Sequence, residues 1–252
     1  MCQAHDRPEA TITLQLREGK PMVGAAINHV PLSLLLDLGG FDTISLNKAD
    51  SAKVGAQGKD QRRQASLFDG KLQEYQGLHF KAVTVGNAEF GEVEGSALSG
   101  EGNSYVGAGL LEKWLVVLDY PHSQVRLYKS GNSQALEREC GTTTFPVDVR
   151  RGVFQTYMRT EGKLVTAAFD TGANFSVIRP SALNLRGAEH YPDSSPEIHK
   201  LREIRINRAK ISELSAALIE FKAPPVDIVL GTNFFQGRRV CLDGPAHIGA
   251  MR

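Results

Sequence analysis

Two short stretches put an aspartate where an apolar run stops. "LLLDLGGFDTISL", residues 34 to 46, carries Asp37 followed by Leu38 and Gly39, and "AAFDTGANFSVIR", residues 167 to 179, carries Asp170 followed by Thr171 and Gly172. A single Asp ahead of x-Gly is most simply a turn former whose carboxylate bonds its own backbone. Two carboxyls brought to one place can do more. If they share a proton, the ionised one takes a proton from water while the other supplies one to a carbonyl oxygen and later to a departing nitrogen. Like charges about 3 Å apart cannot both ionise, so such a pair titrates as a unit with one low and one raised apparent pKa. The chemistry on offer is amide hydrolysis, provided the chain folds so that each half supplies one carboxyl.

The elements around the two aspartates repeat as well. At an offset of 133 (170 − 37), Gly39 matches Gly172, Thr43 matches Ser176 and Ile44 matches Val177. In a second matching pair, "YVGAGLLEKWLVVLDY" sets Gly107, Leu110, Leu111 and Asp119 against Gly231, Phe234, Phe235 and Asp243 of "IVLGTNFFQGRRVCLD". A period above a hundred residues is too long for a solenoid and reads as a duplicated lobe. The expected division is a leader over 1–10, a first lobe over 11–129 holding Asp37, a polar linker over 130–141 and a second lobe over 142–252 holding Asp170.

Each half reads as short strands separated by turn residues: "TITLQL", "MVGAAI", "HFKAVTV" and "WLVVLDY", then "TTTFPVDV", "VFQTYM", "LVTAAF" and "REIRI". Helix is expected only as short turns at "GLLEKWL" and "SALNLRG", while "ISELSAALIEF" reads as strand because its counterpart "AEFGEVEGSAL" carries helix-weakening glycines. Asp119 and Asp243 fall at strand exits before Pro or Gly and read as turn residues. The basic segment "KLREIRINRAK", residues 200 to 210, reads as a solvated strand face rather than as a steering patch.

Composition narrows the function classes. The chain has 252 residues with a formal net charge of +1, so nothing draws it as a whole to nucleic acid or to an anionic membrane. No apolar run reaches the roughly 20 residues that span a bilayer, and "MCQAHDRPEA" has no signal-peptide core. Localisation is open to an exported or periplasmic setting. Cys2 reads either as the first residue of a mature bacterial lipoprotein behind an added Met or as a free thiol. Cys140 and Cys241 are either a disulfide or two buried thiols. "VGAGLLE" fails as a dinucleotide turn because Glu112 stands where Gly or Ala is needed. No Gly-x-Ser-x-Gly, His-Glu-x-x-His or Cys-x-x-Cys anchors a serine hydrolase or zinc enzyme.

Asp170-Thr171-Gly172-Ala173 with Ser176 and Val177 resembles the active-site signature of aspartic peptidases. The apolar-apolar-Gly-x-x-apolar-apolar segment with its later Asp resembles the strand and helix found after that signature in retropepsins and their bacterial relatives. The likeness runs through nearly all of both halves, as a retropepsin lobe fused in tandem. It implies an all-β fold of two similar retropepsin-like (acid-protease) β-barrel lobes with an active-site cleft between them. It also implies an aspartic endopeptidase with Asp37 and Asp170 catalytic, supported by Gly39, Thr171 and Gly172. No cofactor and no metal is expected. The partner is a peptide or protein substrate, with no nucleic acid, and one chain holding both carboxyls is compatible with a monomer. The family further implies a closing hairpin, for which "SLFDGKLQEY" offers Phe68, Asp69, Gly70 and Tyr75. The second half has no such turn in "YPDSSPEIHKL".

One position departs from the pattern. Where the family has Thr or Ser after each catalytic Asp, bridging to the opposite lobe, this chain has Thr171 in one half but Leu38 in the other. The first loop is therefore expected to be held by packing. The same residue supports a second reading: a catalytically silent peptide-binding or scaffolding protein that keeps the fold.

Overall fold

The structure, a computed structural model, describes residues 7–17, 19–40, 42–66, 72–184, 196–222 and 225–252. In the first half these form β1 (Ala10–Arg17), β2 (Lys20–Ile27), β3 (Val30–Asp37), β4 (Ile44–Leu46), β5 (Gln57–Ser66), β6 (Leu72–Val85), β7 (Ala88–Ala97), β8 (Tyr105–Gly107), β9 (Trp114–Asp119) and β10 (Gln124–Lys129), with short helices α1 (Lys48–Lys53) and α2 (Ala108–Leu111). β1 buries Ala10, Ile12 and Leu14 on one face, as a strand with one wet side does. β3 starts in the same alternation, then buries Leu34, Leu35 and Leu36 in succession. It is covered on both faces where it delivers Asp37.

The second half holds α3 (Ser133–Cys140), β11 (Thr144–Pro146), β12 (Asp148–Arg150), β13 (Val153–Thr160), β14 (Lys163–Phe169), β15 (Val177–Ile178), β16 (Ile198–Leu201), β17 (Arg205–Ile206), β18 (Ala209–Lys210), β19 (Leu214–Leu218), β20 (Ile228–Leu230), α4 (Thr232–Phe235), β21 (Arg239–Asp243) and β22 (Ile248–Met251). The all-β, two-lobed architecture read from the sequence is the one present. The halves repeat the same unusual pairings. β3 runs parallel to β8, with Asp37 opposite Gly107, β4 crosses antiparallel to β8, and β4 lies parallel to β7. In the same way β14 runs parallel to β20, β15 antiparallel to β20, and β15 parallel to β19. The first lobe closes into a six-strand barrel because β2 also pairs with β6. The second stays an open sheet running from β16 to β18.

A shared sheet joins them. β11, β22 and β21 from the second half continue through β9, β10 and β1 of the first, with β21 paired along β9 from Arg239 opposite Asp119 to Asp243 opposite Leu115. Core residues from both halves form one continuous cluster that includes Leu36, Leu38, Phe169, Phe234 and Phe235.

Several sequence expectations change in detail. The polar stretch 130–141 holds α3, capped by the Asn132 side chain and burying Ala135, Leu136 and Cys140. Cys140 and Cys241 form a disulfide that ties this helix to β21. "TTTFPVDV" is not one strand: β11 pairs with β22 and ends at Pro146, which has no N–H to give, and past it β12 pairs with β13. "KLREIRINRAK" is cut into β16, β17 and β18 by left-handed residues Glu203 (φ 54°) and Asn207 (φ 52°), although its apolar residues still point inward. Asp119 is no mere turn residue. It is fully buried, with Arg239 at 2.6 Å, Arg126 at 2.7 Å and His122 at 2.9 Å. Asp243 does cap its turn at Ala246, but it also accepts hydrogen bonds from Ser130 and the Gly131 N–H. No helix in the described residues is long and apolar enough to cross a membrane.

Candidate active site

Asp37 and Asp170 each stand at the end of a central strand, where the chain turns back on itself. The Gly40 N–H returns to the Asp37 carbonyl, and the Asp37 carboxyl accepts the Gly39 N–H at 2.9 Å. In the second loop the Asp170 carboxyl accepts the N–H groups of Gly172 and Ala173, both at 2.9 Å. Each turn thus locks its own carboxyl by the x-Gly that comes after it.

The two loops meet head to head. A Cβ added at Gly39 would lie 2.3 Å from Cγ of Asp170, and one added at Gly172 would lie 2.4 Å from Cγ of Asp37. No side chain fits at either place, so glycine is required by the approach of the opposite carboxyl rather than by its own backbone angle. The two carboxyls lie near enough to shift one another's titration. Both retain some exposure to solvent.

Thr171 closes the arrangement from the second lobe. Its hydroxyl donates to the Leu36 carbonyl at 2.6 Å and accepts from the Leu38 N–H at 3.0 Å. Leu38 is fully buried in the common core, so the first loop contributes packing where its counterpart contributes a hydroxyl.

Electrostatics separate the two acids. Burial pushes the Asp37 carboxyl well above its ordinary range, and the charge and hydrogen bond of Asp170 push it further, against the N–H groups of Gly39 and Gly40. Burial also raises Asp170, but the Ala173 N–H, the hydrogen bond from Asp37 and the Gly172 N–H oppose it. The pair therefore titrates as a unit whose proton is held above the ordinary carboxylate range, and the donors around Asp170 oppose the rise there.

Tyrosines frame the pair, and two of them carry no mark in the sequence. Tyr105 packs over the first loop: a Cβ on Gly40 would fall 2.4 Å from its Cε2. Burial pushes the Tyr105 hydroxyl far up, a hydrogen bond with Ser45 works against it, and Asp37, Asp42 and Tyr75 add to it. It stands two residues before Gly107 on a strand paired with β3, a placement that only the fold reveals. Tyr120, buried and stacked on Phe235 at 5.4 Å, has its hydroxyl raised by burial first and by Asp170 second. Its position directly after a recurring Asp gave no hint of this. Tyr75, expected on the closing hairpin, is buried toward Tyr105 rather than held out in solvent. β5 and β6 pair as a hairpin as far as Ser66 opposite Leu72; Phe68, Asp69 and Gly70 lie outside the described residues. Among the described residues no group of three His, Cys, Asp or Glu is placed to hold a metal.

No protein-family model matches the chain, and no curated protein does. Among solved structures, the chain is similar to a retropepsin-like aspartic protease from Rickettsia conorii, with 23% sequence identity over 47% of this chain and 94% of that one, at a TM-score of 0.39.

Proposed function

We propose that this chain is an aspartic endopeptidase of tandem, two-lobed, retropepsin-like type, in which Asp37 and Asp170 activate a water molecule against a peptide carbonyl. The observation that carries the reading is the reciprocal one: each loop's glycine makes room for the other loop's carboxyl. A duplicated turn that served only to end strands has no need of such an approach. In this mechanism the Asp170 carboxylate takes a proton from water as its oxygen attacks the carbonyl carbon, and Asp37 gives its proton to the carbonyl oxygen. Collapse of the tetrahedral species breaks the C–N bond: the proton held by Asp170 passes to the leaving nitrogen, and one hydroxyl proton of the diol returns to Asp37 as the new carboxyl forms. An extended substrate between the lobes would be held chiefly through its backbone, with Tyr105 and Tyr75 near the first loop to select side chains.

The test is a peptide-library digest from acidic to neutral pH with the native chain, Asp37→Asn and Asp170→Asn. Cleavage is expected in the native protein only and is expected to survive chelators. The rate should fall as pH rises past the raised pKa of the pair, because the shared proton is lost. Substantial cleavage by either variant overturns the mechanism, and no cleavage by the native chain returns the reading to a peptide-binding protein.

A further inference from the structure

The basic segment 200–210 is neutralised along only part of its length. Lys200 pairs with Glu213, and Arg202 lies 3.6 Å from Glu161. Arg208 and Lys210 make no ion pair among the described residues. They occupy the β17–β18 hairpin, whose turn residue Asn207 donates through its side-chain amide to the Thr144 carbonyl at 2.8 Å. That bond pins the hairpin against the start of β11, so the cations stand at a defined place.

Two adjoining open pockets form there, of about 380 and 430 Å³, sharing Thr143 and Arg208. One is lined by the run Thr142–Thr144 with Asn207; the other adds Lys210, Arg238 and Arg252. No acidic side chain lines either. Arg238 is the telling member. It is partly buried, lies 5.5 Å over the Phe234 ring, and spends its N–H groups on the Phe234 and Glu213 carbonyls, with no carboxylate partner among the described residues. A half-desolvated cation without a counter-ion is costly, and burial lowers its pKa accordingly.

We propose that these pockets are a binding site for a polyvalent phosphate anion. Guanidinium forks with hydroxyl and amide donors suit tetrahedral oxyanions, and Arg208, Lys210 and Arg238 together call for more than one negative charge. The pockets are larger than a single phosphate group requires. Their lining includes no aromatic ring on which a base would stack, which favours a bare phosphoryl chain over a nucleic acid. None of these residues belongs to the Asp37 or Asp170 loops, so the site stands or falls independently of the peptidase reading.

Titration calorimetry with sodium tripolyphosphate tests it, against orthophosphate, hexaglutamate and sodium chloride at matched ionic strength. Tripolyphosphate is expected to bind one saturable site, and Arg208→Gln/Lys210→Gln should weaken it by about tenfold or more with melting in the absence of anion unchanged. Arg17→Gln/Lys20→Gln on the β1–β2 hairpin, which removes the same charge, should leave binding as it was. The proposal is overturned if binding is not saturable at matched ionic strength, if both double variants weaken it equally, or if hexaglutamate binds as tightly, which would mark an acidic-peptide surface.

Discussion

The Thr171 hydroxyl lies between two backbone groups of the opposite lobe, 2.6 Å from the Leu36 carbonyl and 3.0 Å from the Leu38 nitrogen. It is wholly buried, so water cannot replace it. Thr171→Val keeps the shape and removes both bonds, leaving an N–H and a C=O without partners. A loss of about 1–3 kcal/mol is expected, with Thr171→Ser close to native. Denaturant melts of the three proteins decide it; equal midpoints for Val and Thr would mean that the bridge does not hold the lobes.

Leu38 answers Thr171 with packing alone. Leu38→Thr shortens a fully buried side chain and adds a hydroxyl among apolar neighbours. Expected is a destabilisation of about 1–3 kcal/mol with no gain in peptide cleavage. A variant that melts as the native protein does and turns over faster would show that the missing hydroxyl, not the core, limits this site.

The raised carboxyls make a stability prediction that needs no substrate. An acid whose folded pKa lies above its unfolded value stabilises the fold below the unfolded value, here 3.8, and loses that contribution as pH rises through the folded one. At neutral pH the close pair is therefore a burden. Asp37→Asn, which cannot ionise, should melt higher than the native chain at neutral pH, and the gap should close toward pH 3.8 and below. A variant that melts lower at neutral pH would mean that the pair is not held protonated.

A repeated pattern is what made the candidate site legible in the sequence. Asp-x-Gly occurs twice with a second Gly-apolar motif behind it, and a twofold pattern can be recognised without knowing a single contact. Tyr105 and Tyr120 left no such trace. At the offset of 124 that aligns Gly107 with Gly231 (231 − 107), their counterparts are Val229 and Gly244, so no repeat pointed to the tyrosines. Burial against a particular loop is a property of the folded surface. The Asp119 cluster was hidden for a similar reason: its arginines lie on β10 and β21, and only the shared sheet brings them together.

That cluster carries its own prediction. Burial pushes the Asp119 carboxyl up, but hydrogen bonds from His122, Arg239 and Arg126 outweigh it and hold the group below its ordinary value of 3.8. Its contribution to stability is present above 3.8 and is lost as pH falls through the lowered value. Asp119→Ala leaves Arg126 and Arg239 facing only Glu139, and a loss of about 3–5 kcal/mol is expected at neutral pH. The difference from the native chain should shrink in strong acid. A melt unchanged at neutral pH would mean that the arginines are satisfied without Asp119.

The disulfide acts on the same joint from the other side. Cys140 ends α3 and Cys241 lies in β21, 101 residues apart, so the bond ties the connection between the lobes to the strand that pairs with β9. Closing a loop of that length restricts the unfolded chain, by about 4–5 kcal/mol in the chain-entropy account and less where the unfolded state keeps structure. Both sulfur-bearing residues are buried, so a reductant reaches them only after the joint opens. Cys140→Ser/Cys241→Ser should therefore lower the melting midpoint, while in the native chain the bond should resist reductant until denaturant loosens the shared sheet and then be reduced abruptly. Rapid reduction of the folded protein, with no change in melting, would show that the bond lies outside the structure that holds the two lobes together.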